Sequence, residues 1–257
     1  MCGAADRDGG PGCDHPKSPQ TKESRNREAL RTYEGERGYQ PMLAVWAEMN
    51  AVLADEFRDG NVPAMMDLLD VAKRAFAALP ETVTTYYYRG DSACHECHLL
   101  KWLRDENRAD GPRGPIGFAI GARMSAALHE AIEKVAESAW EPYGKPHPEQ
   151  IRECAEVNFA PGEKSEKKDT PPLRCLAIRI RRRQENLFAD GGKVKHFAVL
   201  TNIEKWKPSR LIEWQREKAG TIEGVHDALK NALGGWSYAV EVLLDQCGVV
   251  APGGAHL

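Results

Sequence analysis

Apolar and polar positions run along this chain in short blocks that switch between strand and helix periodicity. Residues 41–57 (PMLAVWAEMNAVLADEF) make two apolar runs broken by Glu48-Met49-Asn50, which predicts a β-hairpin. Asn61-Val62-Pro63 opens a helix with Pro63 in its first turn. Met66, Leu69, Val71, Ala72, Ala75, Phe76 and Leu79 keep its apolar face, and Pro80 stops it. Residues 82–89 (TVTTYYYR) are β-branched and aromatic and read as a strand ending in Gly90-Asp91-Ser92. A helix over about 93–106, a strand at 116–121 (IGFAIG) and an amphipathic helix over 125–138 follow.

The pattern then changes. Loop-like stretches at 142–148 and 161–172 alternate with strand-like pieces at 154–159, 174–181 and 194–200. This predicts a β-rich insertion over 140–205, followed by a long helix from 209 to about 233 with Ile222, Val225, Leu229 and Leu233 on one stripe. Residues 1–24, with three prolines and four glycines, bury too little to offset their ordering entropy and read as disordered. The expected organisation is a disordered segment (1–24), the first part of a catalytic domain (25–139), the insertion (140–205), a helix (206–233) and an atypical tail (234–257).

Composition narrows the function classes. A net charge of −3 excludes a uniformly basic nucleic-acid binder, so any DNA contact must come from local patches. Seven cysteines without regular spacing do not make a disulfide framework. No run approaches the length of a membrane span and the first forty residues hold no signal core, which predicts a cytoplasmic protein.

Candidate chemistry gathers at two acids. Asp91 closes a strand, where ligands of open α/β sheets collect, and Glu223 shares a helix face with Arg216 and Lys230 at seven-residue spacing. Carboxylates holding two magnesium ions beside flanking cations suit phosphoryl transfer. Each has a plainer reading: Asp91 as a helix cap, Glu223 as one rung of an exposed ion-pair ladder. Residues 174–195 add seven cations against two acids, and Arg179 and Arg181 alternate with Ile178 and Ile180 to predict a cationic strand face. Cys94-His95-Glu96-Cys97-His98 offers an alternative, a zinc or thiol interaction site on Cys94 and Cys97.

The predicted element order fits a ribonuclease H-like mixed sheet flanked by helices. Five strings carry a further likeness: residues 23–29 (ESRNREA), 31–41 (RTYEGERGYQP), 53–61 (LADEFRDGN), 89–93 (RGDSA) and 216–223 (REKAGTIE). In this order, over about 23–233, they resemble the bacterial insertion-sequence transposases with a DDE catalytic domain. The resemblance implies Asp91 and Glu223 as catalytic, metal-holding acids with Mg²⁺ (or Mn²⁺). It also implies Lys230 and Arg216 on DNA, and Arg179, Arg181 and Arg183 read beside them as a phosphate-tracking ridge. The implied partner is double-stranded DNA at the inverted-repeat ends of the element, engaged by a homodimer. Three departures stand out. The place of the family's first Asp, in an Asp-x-Asp-x-Thr strand, reads His15-Pro16-Lys17-Ser18-Pro19-Gln20-Thr21-Lys22 with no acid; Arg216 and Ala219 stand where the family signature has Tyr and Arg; and after about Leu233, where the family continues through helical sequence, this chain reads Gly235-Trp236-Ser237-Tyr238 and soon stops. The expectation is a truncated or frame-disrupted, catalytically impaired transposase, or a DNA-binding remnant of one.

Overall fold

The structure, a computed structural model, describes residue 30 and residues 42–159, 172–182, 194–227 and 247–250. The expected disorder of 1–24 lies outside them. The hairpin forms as expected: β1 (Met42–Trp46) pairs antiparallel with β2 (Ala51–Glu56), with a register shift between Ala44 and Val45. Asn50 closes the turn at φ 48°, a left-handed conformation that asparagine tolerates.

Helix α1 (Leu68–Ala77) starts later than Pro63 suggests. Residues 59–66 make turns instead (Val62 N to Asp59 O, Met66 N to Pro63 O), and Asp67 at φ 55° sets the boundary. Leu68, Val71, Ala72, Ala75 and Phe76 then repeat at helical spacing and are buried. Strands β3 (Tyr86–Gly90) and β4 (Ile116–Gly121) are parallel neighbours joined through α2 (Cys97–Arg104), a βαβ unit. Past α2, the buried Arg108 donates to the carbonyls of Trp102, Leu103, Pro112 and Gly114, so it closes the helix end and pins the loop. Ser125 caps α3 (Ala126–Glu133) through Leu128 N at 3.2 Å, and a 3-10 turn (Glu137–Ala139) follows.

The expected insertion supplies β5 (Glu141–Pro142), β6 (Gln150–Val157), β7 (Arg174–Arg182) and β8 (Lys195–Thr201) in antiparallel succession. It is no separate sheet, because β8 pairs antiparallel with β4. Helix α4 (Pro208–Asp227) comes next; the expected continuation to 233 lies outside the described residues. Among the described residues the expected tail holds β9 (Cys247–Val250), lying between β1 and β3, parallel to β1 and antiparallel to β3. Among the described residues the strands make one nine-stranded mixed sheet, ordered β2-β1-β9-β3-β4-β8-β7-β6-β5.

Helices cover both faces. One core joins α1, α2 and α3 to the sheet through Phe76, Tyr88, Leu99, Phe118, Leu128 and Leu200. The other joins α4 through Leu211 and Ile212 to Ala119, Leu176, Ile178 and Val199. Central strands buried on both faces explain the near-continuous apolar runs of β4 and β7. Among the described residues, no helix is long and apolar enough to cross a membrane.

Candidate functional site

The carboxyl end of β3 is closely packed. Asp91 is buried there, and its Oδ1 accepts hydrogen bonds from Ala93 N (2.9 Å) and Cys94 N (3.4 Å), the geometry of a turn cap. The neighbouring glycines permit the packing. A Cβ on Gly90 would lie 2.5 Å from Cys94 Sγ, and one on Gly121 would lie 2.9 Å from Ser92 N and 3.0 Å from the Asp91 carbonyl carbon. Glycine at the end of β4 thus lets the Asp91-Ser92 backbone lie flush on it.

Helix α4 docks on this same strand end. Gln215 Nε2 donates to Gly90 O at 3.0 Å, one residue before Asp91. The buried Arg89 donates to Trp214 O (2.6 Å) and pairs with Glu217 at 3.5 Å, its guanidinium 5.5 Å from the Trp214 ring. Burial pulls the Arg89 pKa below arginine's usual value, and the Glu217 carboxylate opposes that shift. Tyr87, Trp206 and Trp214 pack ring against ring, so these aromatics serve helix docking. Glu223 lies on α4 eight residues after Gln215, about 12 Å along the axis. Its side chain and Lys230 lie outside the described residues, as does Arg183. Arg216 is exposed, 5.9 Å from the Phe197 ring of β8.

The cationic face of β7 is paired with carboxylates. Arg179 donates to both Glu137 oxygens (2.7 and 2.8 Å) and to Glu153 (3.0 Å), and its guanidinium lies 4.2 Å from the Trp140 ring. Arg181 reaches Glu153 at 2.8 Å. The hydrogen bond from Arg179 holds the Glu137 carboxyl below its usual range, and Glu137 in turn raises Arg179. Alternation along the strand separates these arginines from Ile178 and Ile180, and both arginines are paired with carboxylates.

The Cys-x-x-Cys pair is divided by the start of α2. Cys94 is buried with Tyr88 Oη 3.5 Å from its sulfur, whereas Cys97 is exposed. The two thiols are free and differ in exposure. Cys97 instead gathers with Glu96 and His98, with one donor atom of each within 4.8 Å of the others. Glu96 caps α2 through His98 N and Leu99 N, both at 2.9 Å. Burial pushes its carboxyl up, but those amides and the Cys97 thiol outweigh that effect and leave it below the usual range. Cys154 and Cys175 are buried, and burial pushes both thiols up to about 12.

Sequence reasoning missed Arg89, Gln215 and Glu217. The signal was a charged residue inside the aromatic strand, and its partner lies 125 residues away. No family model, no curated protein and no solved structure matches this chain.

Proposed function

We propose that this chain is a DNA-binding protein of the DDE transposase type, on a ribonuclease H-like sheet, that engages element ends without cutting them. The observation that carries the reading is the anchoring of α4 to the end of β3 by Gln215 and Arg89. It makes Asp91 and the helix bearing Glu223 parts of one junction. Position 223 falls eleven residues after the buried Ile212 and seven after the exposed Arg216, on the border between those strips.

Mg²⁺ or Mn²⁺ bound by such acids would activate and stabilise the oxygens of an in-line phosphoryl displacement. Asp91 and Glu223 are the residues that would hold it. A central strand is where the resemblance puts the first acid. The central slot between β1 and β3 is taken by Cys247–Val250, which carries no carboxylate. Asp91 Oδ1 is also committed to two amides. Both points favour binding over cleavage. The exposed Arg216 would meet phosphates directly, while Arg179 and Arg181 would first have to leave Glu137 and Glu153.

An active transposase is the second reading, supported by the two acids lying on touching elements. Fluorescence anisotropy with short duplexes from the DNA flanking the gene tests the first. Affinity is expected to fall with rising salt, to weaken in Arg216→Ala and to persist in Asp91→Asn, with no nicking in Mg²⁺ or Mn²⁺. Absence of salt-dependent binding overturns the DNA reading. Nicking that disappears in both Asp91→Asn and Glu223→Gln establishes the enzyme instead.

A further inference from the structure

We infer that Glu96, Cys97 and His98 form a surface site for a zinc-type transition-metal ion, independent of any DNA function. Three chemically different donors, a carboxylate, a thiol and an imidazole, meet within 4.8 Å at the start of α2. The Cys97 Sγ to Glu96 Oε1 distance is 3.4 Å. Two ligands of a tetrahedral zinc, with bonds of about 2.3 Å to sulfur and about 2.0–2.2 Å to oxygen, lie roughly 3.5 Å apart. Small side-chain rotations therefore suffice to close the donors on one ion.

The scaffold is already fixed. Both Glu96 oxygens are oriented by the helix amides of His98 and Leu99; Oε2 keeps a second acceptor direction for a cation, and the one on Oε1, taken by the Cys97 thiol, is freed when that proton leaves. Cys97 and His98 are exposed, so an ion reaches them from solvent. Neighbouring donors are occupied elsewhere. Cys94 is in the core beside Tyr88, and His95 Nδ1 accepts the Arg123 amide at 3.0 Å. Sulfur and imidazole ligands select zinc-like ions over magnesium, which prefers an all-oxygen set. Binding replaces the thiol proton: Cys97 S–H releases one H⁺ to solvent as the metal–thiolate bond forms, with no change of oxidation state. Three protein ligands leave the fourth position to water or an incoming ligand.

Titration of the full chain with Co²⁺ under a non-thiol reductant reads the site directly. One equivalent is expected to give a thiolate-to-cobalt charge-transfer band that Zn²⁺ displaces and millimolar Mg²⁺ does not. Cys97→Ser is expected to abolish the band and His98→Ala to weaken binding at least tenfold. Replacement of Cys2 and Cys13 by serine is expected to leave it intact, and circular dichroism checks that each variant folds. A band unchanged in Cys97→Ser, or no stoichiometric binding by the parent chain, overturns the site.

Discussion

The two flanks of the sheet are built on opposite plans. On one side β6, β7 and β8 follow one another in sequence and zip through eight and then seven consecutive residue pairs. On the other, β9 lies in the sheet between the β1–β2 hairpin and β3, with three pairs on each of its edges. The first flank relies on local, antiparallel pairing. The second relies on a four-residue strand recruited from far along the chain. Loop-closure entropy makes the second arrangement costlier to form and easier to open. The candidate site lies where they meet, at the end of β3.

Ending the chain after Asp227 is the most severe way to break that contrast. It removes β9, and each lost ladder hydrogen bond costs about 0.5–1.5 kcal/mol. Amide exchange is expected to accelerate in 42–56 and 86–90 while 150–157, 174–182 and 195–201 stay protected; equal protection throughout would erase the distinction. Next comes Leu176→Ala in the fully buried centre of β7, expected to lower global stability by about 2–5 kcal/mol in urea melts. Leu43→Ala in β1 is expected to speed local opening more than it shifts that melt, and the reverse ranking would contradict the two-plan view.

Gly121→Ala sharpens the view of the junction. Its new methyl would press on backbone at Asp91 and Ser92, which cannot swing aside, so a loss of about 1–3 kcal/mol is expected. A neutral result would mean that the end of β3 yields. The smallest effect belongs to Arg179→Ala, at about 0.2–1 kcal/mol. Glu137 is held below its usual range by Arg179, so that pairing is present above the ordinary glutamate range and fades as pH falls through the lowered value. The variant should show a flatter acid limb in pH-dependent melts than the parent; identical limbs would remove the pairing from the account.

Much of the architecture was legible in the residues. The hairpin followed from two apolar runs around Asn50, and IGFAIG marked β4 with the bounds the structure gives it. Pro63 misled, because a proline suited to a first helical turn also suits the turn that actually precedes Asp67. The strands of 140–205 were readable, but not that β8 would dock on β4, since pairing partners leave no mark in local periodicity. β9 was unreadable: four residues including Gly248 give no alternation to recognise. At the site, Asp91 could be read as a cap from its own neighbours. The partners of Arg179 could not, because Glu137 and Glu153 come from other elements 42 and 26 residues away. The different settings of Cys94 and Cys97 could not be read from their spacing: the turn into α2 buries one thiol and leaves the other exposed.

The late position of β9 has a consequence during synthesis. When the ribosome has delivered everything through α4, the facing edges of β1 and β3 still lack the strand that will lie between them. Nascent chains at that stage present two open strand borders, which invite pairing with any extended segment nearby. Arrest of translation just before residue 247 would therefore yield a species more prone to chaperone capture and aggregation than the finished chain.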